Sequence, residues 1–155
     1  MSVRTVAHET FVLERTFDVP VARTFRAWAD PRRKARWFAS SVDALDAGYA
    51  LDFRVGGREV TRGGPPGGPV YTYEAVFRDI VPDERIVYTY EMAADGERIS
   101  VSVATVQFMG VDGGTRLVLT EQGVFLDGLD TAAQREEGTR SLLDALAIVL
   151  DGTGS

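Results

Sequence analysis

The feature that most constrains this chain is a series of short alternating segments between residues 49 and 121. In each segment about every second side chain is apolar, as in a β-strand with one face in the core. The segments are separated by "GG" at 56–57, "GGPPGGP" at 63–69, "VPDE" at 81–84, "ADGE" at 94–97 and "VDGGT" at 111–115. Because short turns join antiparallel neighbours, the sequence predicts an antiparallel sheet built as a meander.

A first strand and a short helix precede this series. The segment "TFVLERTFDV" at 10–19 alternates, with Phe11 and Leu13 on one side. Pro20 suits the first turn of a helix, where its missing N–H is not needed. The apolar face of that helix is formed, at helical spacing, by Val21, Thr24, Phe25 and Trp28.

A second short helix is predicted immediately afterwards. Asp30 is a good N-cap, and Pro31 stands at the first helical position. We expect Ala35 and either Trp37 or Phe38 to turn inward. The residues expected to remain in water are Arg32, Arg33, Lys34 and Arg36. A solvated helix face explains this basic cluster, and contact with an acidic partner surface is the alternative.

One long helix closes the chain, over residues 131–150. Its apolar positions at helical spacing are Leu142, Leu143, Leu146, Val149 and Leu150. A curved meander with one apolar face is covered economically by a single helix laid across that face. The pattern therefore predicts an α+β domain with a cavity between the sheet and the helix, where small apolar ligands bind in other proteins.

Four tyrosines are in phase on two neighbouring predicted strands: Tyr71, Tyr73, Tyr88 and Tyr90. A buried tyrosine needs a partner for its hydroxyl, and a cavity supplies one through water or ligand. The set therefore indicates an amphipathic pocket wall. The alternative is that one or two of these residues face outward and the others fill the core.

Glu121 shares its parity with Leu117 and Leu119, so it should point inward. It could hydrogen-bond a ligand, form an ion pair with Arg58 or Arg54, or transfer a proton if burial raises its pKa.

In "RISVSVATVQF" at 98–108 the apolar parity changes between Val103 and Val106. This change predicts a β-bulge or sharp bend near Ala104 and Thr105.

Composition excludes several classes of protein and site. A net charge of −6 disfavours a general nucleic-acid binder, and the absence of cysteine removes disulfides and thiolate chemistry. No apolar stretch is long enough for a signal peptide or a membrane span, so we expect a cytoplasmic protein. His8, the single histidine, is placed before the first strand, and no metal site is expected.

Five motifs in order resemble the helix-grip, START-like superfamily, and within it the branch of activator of heat-shock protein 90 ATPase homologues. They are "FDVPVARTFRAWADPRRKARWF", "LDFRVGGRE", "VPDERIVYTYE", "GGTRLVLTEQG" and "REEGTRSLLDALAIVL". The resemblance implies one START-like domain over 1–155, with its core at about 10–150. It implies a curved antiparallel sheet of about six to seven strands around a long C-terminal helix, with two short helices after the first strand.

One position departs from the resemblance. A tryptophan commonly follows the helix glycine in the wider family, and this chain has Thr139 there. A smaller residue at this position widens the expected pocket or redirects its mouth.

The leading hypothesis is a cofactor-free domain that binds a hydrophobic or aromatic small molecule. The expected ligand-binding residues are Trp37, Phe53, Arg58, Tyr71, Tyr73, Tyr88, Tyr90, Glu121, Phe125, Leu142 and Leu146.

The first alternative is a polyketide cyclase or hydrolase-like enzyme that uses Glu121 or a tyrosine. No dense acid–base constellation supports it, so non-enzymatic binding is preferred and no residue is assigned as catalytic. The second alternative, a chaperone-activating interaction domain, is implied by the resemblance alone. We expect no chaperone partner, because the sequence has no room for the additional N-terminal domain of the eukaryotic co-chaperone. A homodimer through an exposed strand or helix is left open.

Overall fold

The computed structural model describes residues 3–39, 42–45 and 47–152. A short 3₁₀ turn, Val42–Ala44, follows the second helix. The helices and strands, in chain order, are β1 (Val6–Phe17), α1 (Val21–Ala29), α2 (Pro31–Phe38), β2 (Tyr49–Leu51), β3 (Arg58–Gly63), β4 (Tyr71–Val81), β5 (Arg85–Ala94), β6 (Glu97–Val111), β7 (Gly114–Leu126) and α3 (Ala132–Asp151).

All strands form one antiparallel sheet of seven strands, in the order β1-β7-β6-β5-β4-β3-β2. From β2 to β7 the chain is a meander, and β1 returns to pair with β7. Two residues with positive φ, Asp112 at 44° and Gly113 at 82°, turn the chain from β6 into β7. This α+β arrangement confirms the predicted helix-grip fold.

The core lies between one face of the sheet and α3. Leu143, Leu146 and Leu150 of α3 are buried in the same apolar cluster as Leu117 and Leu119 of β7. Burying one such leucine side chain contributes roughly 1.5–3 kcal/mol to stability. The packing of α3 on the sheet is therefore a main source of stability.

The two short helices begin where their sequence signals place them. Pro20 is the N-cap of α1, and Asp30 caps α2 by accepting hydrogen bonds from the backbone N–H groups of Arg32 at 2.9 Å and Arg33 at 3.4 Å. The indole N–H of Trp37 donates to the carbonyl of Ala27 at 2.9 Å. This bond ties α2 to α1 at one end of the sheet.

Strand β6 contains a bulge, as predicted for the 98–108 segment, but the bulge lies at a different residue. Met92 pairs with Ser100 and Ala93 with Arg98, so Ile99 is the extra residue. After it, Ser100, Ser102 and Ala104 point inward, whereas Val101 and Val103 are 41% and 37% exposed. The prediction near Ala104 and Thr105 was wrong because it assumed that these valines belong to the core.

The segment predicted as a strand at 49–55 is also shorter, since β2 ends at Leu51. Beyond it the backbone turns sharply and bonds to β4: Gly56 donates to Phe77 at 2.8 Å, and Phe77 donates to Gly57 at 3.0 Å. His8 lies within β1, on its exposed side, rather than before the first strand. None of the helices described in the structure is long and apolar enough to cross a membrane.

Candidate functional site

A cavity of about 680 Å³ lies between the sheet and the helices. This volume falls within the roughly 300–1,000 Å³ typical of small-molecule sites. The sheet contributes Thr61, Tyr71, Tyr73, Tyr88, Tyr90, Met92, Ile99, Leu119 and Glu121, and the short helices contribute Trp28, Trp37 and Phe38. The last helix and the loop before it contribute Leu129, Asp130, Gln134, Arg135, Glu137, Gly138, Thr139, Ser141, Leu142 and Leu143.

One wall of the cavity is aromatic. Tyr73 of β4 lies beside Tyr90 of β5, with ring centroids 4.9 Å apart, and Tyr88 lies 6.1 Å from Tyr90. Phe38 of α2 packs edge-on against Tyr73 at 5.2 Å. Burial raises the pKa of all three phenols, and the neighbouring Glu121 raises it further. These tyrosines therefore present neutral rings and hydroxyl groups.

A buried polar network lies at one side of this aromatic wall. The hydroxyl of Tyr90 donates a short hydrogen bond to Glu121 Oε1 and accepts one from Arg135 Nη1 at 3.0 Å. Arg135 also donates to Ser100 Oγ at 2.8 Å and to Asp130 Oδ2 at 2.5 Å. A fourth partner, Glu121 Oε1, lies 3.8 Å from Nη1. The guanidinium therefore links the start of α3 to the inner face of the sheet.

Glu121 is 2% exposed, and this burial raises the pKa of its carboxyl group above the ordinary value of 4.5. The hydrogen bond from Tyr90 and the charge of Arg135 oppose the shift without cancelling it. A carboxyl group held in this way is suited to hydrogen-bonding a ligand or exchanging a proton with it.

The mouth of the cavity lies beside the first half of α3. The exposed lining residues are Leu129, Gln134, Glu137, Gly138 and Ser141, together with Tyr71 on β4, which is 39% exposed. A Cβ atom added to Gly138 would meet no other atom within 4 Å, so the space beside it is open. Thr139 is buried and turns its hydroxyl to the Arg135 carbonyl at 2.9 Å.

A second buried charge cluster lies behind the aromatic residues of α2. Lys34 Nζ is 2.8 Å from Glu59 Oε1, and the Tyr49 hydroxyl donates to Glu59 Oε2 at 2.6 Å. The ammonium group also lies 4.5 Å from the centre of the Phe38 ring and 5.2 Å from that of Trp28. Burial lowers the pKa of Lys34, whereas the Glu59 carboxylate acts in the opposite direction. The expectation that Lys34 stays in water was wrong.

Metal ligation finds no support among the described residues, since they contain no group of three or more His, Cys, Asp or Glu side chains placed to hold an ion.

A family model described as "Activator of Hsp90 ATPase homolog 1-like protein" matches residues 18–151, which is most of the sequence. The chain belongs to this family. The resemblance in the sequence motifs is thereby confirmed.

Two similar solved structures come from rhizobia. An uncharacterized protein from Rhizobium leguminosarum is 43% identical, with a TM-score of 0.91, over 97% of this chain and 99% of its own. The Mll3558 protein from Rhizobium loti is 48% identical, with a TM-score of 0.86, over 94% of this chain and 99% of its own.

DynU16, a protein of the dynemicin biosynthetic locus, is 19% identical, with a TM-score of 0.68, over 94% of this chain and 48% of its own. This likeness establishes the fold alone. No curated protein matches the sequence significantly.

The cavity brings together seven of the residues predicted for ligand binding. They are Trp37, Tyr71, Tyr73, Tyr88, Tyr90, Glu121 and Leu142. In-phase alternation found the tyrosines and Glu121, because β4, β5 and β7 are regular at those positions. Of the four tyrosines, Tyr71 faces partly to solvent at the mouth.

The other four predicted residues lie outside the cavity lining. Arg58 is exposed and pairs with Glu74 at 3.1 Å, away from the cavity lining. Phe53 packs edge-on against Phe25 and Phe77. The centre of the Phe125 ring lies 5.5 Å from the Arg135 guanidinium carbon. Leu146 is fully buried against the sheet. Arg54 pairs with Asp52, and not with Glu121.

Sequence reasoning missed Arg135 and Asp130. Arg135 occupies a polar stretch of α3 that resembles a solvated surface, and Asp130 precedes the helix as an ordinary loop residue. One signal was available: Arg135, Thr139, Leu142 and Leu146 recur at helical spacing and share one face. An arginine on that face requires a buried partner, which Asp130 and Tyr90 provide.

Proposed function

We propose that this protein binds a hydrophobic or aromatic small molecule in the cavity between the curved sheet and α3, without a metal or nucleotide. The observation that carries the proposal is a tyrosine-walled space of about 680 Å³ with a buried carboxyl group, Glu121, on its wall. Flat aromatic walls with a few fixed polar groups are typical of small-molecule sites. The Tyr73 ring lines this cavity, and its hydroxyl oxygen is buried without a well-formed hydrogen bond.

Native mass spectrometry of gently purified protein, followed by denaturation and identification of released molecules, tests this proposal. The expected result is a stoichiometric apolar compound on the wild-type chain. The blocking variant is Gly138→Trp, whose ring would enter the mouth, and the matched control is Gly138→Ala. The compound should be lost from Gly138→Trp and kept by Gly138→Ala. Equal loading of both variants would place the ligand elsewhere and contradict the proposal.

A second candidate is catalysis on a polyketide-like substrate, with Glu121 as the proton-transfer group. The raised pKa of the buried Glu121 carboxyl group supports it, because a carboxyl group whose pKa is raised by burial is suited to proton transfer. DynU16, of similar fold, belongs to a biosynthetic locus. If a compound identified in the first experiment is converted by the wild-type protein, Glu121→Gln should abolish turnover while binding is retained. Equal turnover by both proteins would exclude this role for the carboxyl group.

We prefer the small-molecule role to activation of a chaperone ATPase, which comes to this chain only through the description of its family. The features that support the preferred role are buried and line a cavity, whereas a chaperone partner would contact an exposed surface. A pulldown in which Hsp90 co-purifies with this protein would reverse the preference.

A further inference from the structure

The charges that line the cavity are unbalanced. Three carboxyl groups, those of Glu121, Asp130 and Glu137, face one guanidinium, that of Arg135, among the described lining residues. Lys34, the other buried cation, is paired with Glu59 behind the aromatic wall. A ligand that enters the cavity therefore meets more carboxyl groups than cationic groups.

Arg135 is poorly placed to bind an acidic ligand, because both of its terminal nitrogens already donate hydrogen bonds to protein groups. They donate to Tyr90 at 3.0 Å, to Ser100 at 2.8 Å and to Asp130 at 2.5 Å. A carboxylate ligand that pairs with Nη2 would have to displace Asp130 from a partly buried ion pair, which leaves a charge without its partner. Removing one partner of a buried pair is costly.

The hydrogen-bonding capacity that Glu121 offers to a ligand is mainly that of an acceptor. Glu121 Oε1 accepts a hydrogen bond from the Tyr90 hydroxyl, and a carboxylate offers about four acceptor sites in total. The Tyr73 side chain lines the same cavity, and its hydroxyl oxygen is buried without a well-formed hydrogen bond. Aromatic faces such as those of Tyr73, Tyr88 and Tyr90 also attract cations and repel anions.

We propose that the cavity selects its ligand by hydrogen-bond polarity: it binds an aromatic molecule whose hydroxyl or ammonium group donates to Glu121, and it excludes the corresponding carboxylate. This inference rests on the proposed function and adds the chemical class of the ligand. It also predicts that aromatic and fatty acids of similar size are poor ligands of this cavity.

Four fluorescent probes that share one ring system test this selection: pyrenemethanol, pyrenemethylammonium, pyrenecarboxylate and methylpyrene. Their affinities are measured by fluorescence titration and checked by calorimetry. The alcohol and the ammonium should bind the wild-type protein at least about tenfold more tightly than the carboxylate, with methylpyrene between them. Gly138→Trp should weaken the binding of all four, which assigns the signal to the cavity.

The variant Glu121→Gln should reduce the preference for the donor probes over the carboxylate to within about threefold and leave methylpyrene binding unchanged. The matched control is Glu136→Gln, because Glu136 pairs with Arg140 on α3 at 2.9 Å and does not line the cavity. This control should keep the wild-type order of affinities.

The outcomes separate the two proposals. If all four probes bind the wild-type protein equally well and Gly138→Trp weakens them, the selection by polarity is overturned and the small-molecule site is retained. Tighter binding of pyrenecarboxylate than of pyrenemethanol also overturns the selection. If no probe binds, including methylpyrene, both proposals fail. The order of the probe affinities for the wild-type protein is decisive by itself, so the test does not depend on the folding of Glu121→Gln.

Discussion

At the scale of single residues, the buried pair of Lys34 and Glu59 is the largest departure from the sequence expectation. Lys34 is 1% exposed, and Glu59 is fully buried. In the sequence Lys34 stands among arginines, and this cluster predicts that its side chain is exposed to solvent like theirs. However, positions 34, 35 and 38 share a helical face, and the lysine is the single one in the chain. Its compact ammonium group fits a site enclosed by rings, where the branched guanidinium of arginine would need more space.

Removal of Lys34 should therefore be costly. Lys34→Met leaves the Glu59 carboxylate buried without its cation, and we expect a loss of about 3–5 kcal/mol in the free energy of unfolding. The double variant Lys34→Met/Glu59→Gln should lose less than the sum of the two single variants, because no uncompensated charge is left. Urea denaturation of all four proteins measures the coupling. Additive losses would show that the two side chains do not interact.

Glu121 should make the stability of the protein depend on pH. Its folded-state pKa is raised above the ordinary value of 4.5, chiefly by burial. Its contribution to stability is therefore fully present below that value and is lost as pH rises through the folded-state pKa. The side chain introduced by Glu121→Gln cannot ionise, so this variant does not lose stability in this way as the pH rises.

The free energy of unfolding of Glu121→Gln relative to that of the wild type should thus rise as the pH is raised from 4.5 through the folded-state pKa of Glu121, as measured by urea denaturation at each pH. Glu136→Gln serves as the control, since Glu136 lies at the surface of the same protein and pairs with Arg140. A difference between Glu121→Gln and the wild type that does not change with pH would contradict the raised pKa.

At the scale of elements, α3 consists of two halves with different tasks. Its first half carries Gln134, Glu137, Gly138 and Ser141 beside the mouth of the cavity. Its second half carries Leu143, Leu146 and Leu150, which pack on the sheet. The leucine periodicity predicted the second half. The first half resembles a weak solvated helix because its inward face carries a charge at Arg135 and small residues at Gly138 and Thr139, and the small residues leave space for the cavity.

Gly138 weakens α3 without a backbone requirement for glycine. An added Cβ meets nothing within 4 Å, so Gly138→Ala should raise the free energy of unfolding by about 0.5–1 kcal/mol. Gly113→Ala is the matched control, because Gly113 has a φ of 82° in the turn before β7 and should lose stability on the same change. Thermal unfolding of both variants measures the effect. A destabilised Gly138→Ala variant would indicate that the helix needs glycine there.

Strand β6 shows why periodicity placed a bulge incorrectly. The sequence suggests that Val101 and Val103 are core residues, since valine is usually buried in a strand. The structure turns them outward and points Ser100, Ser102 and Ala104 inward. These small side chains lie on the strand next to β5, and Ser100 holds Arg135. A single sequence does not reveal that the inner face must remain small at this point.

At the scale of the whole molecule, the sheet and α3 enclose both a packed core and an open cavity. Residue Arg15 of β1 reaches Asp144 of α3 at 2.5 Å, and Arg23 of α1 caps the end of α3 by donating to the carbonyls of Leu150 at 3.1 Å and Gly152 at 3.0 Å. Positive charge at a helix C-terminus is favourable. These contacts and the leucine face fix the second half of α3, so the cavity forms under the first half.

Truncation of the packed half should therefore affect stability more than ligand choice. Leu146 is fully buried, and Leu146→Ala should cost about 2–5 kcal/mol of unfolding free energy. Ile148, 73% exposed on the same helix, provides the control, and Ile148→Ala should change stability by less than about 0.5 kcal/mol.

Both variants should keep the order of affinities for the pyrene probes, because neither residue lines the cavity. Urea denaturation and fluorescence titration measure the two effects. A changed order in Leu146→Ala would show that the cavity and the core are not separate.

The sequence by itself determined the order of the elements, the antiparallel meander, the phase of the tyrosines and the inward direction of Glu121. Each of these follows from local periodicity and turn chemistry, which act between residues close in the chain. The tertiary structure alone decided that Arg135 reaches Tyr90, Lys34 meets Glu59, Arg58 lies outside the cavity and the bulge falls at Ile99. Those outcomes depend on which distant residues compensate a buried charge or fill a given volume, and local spacing does not encode such pairings.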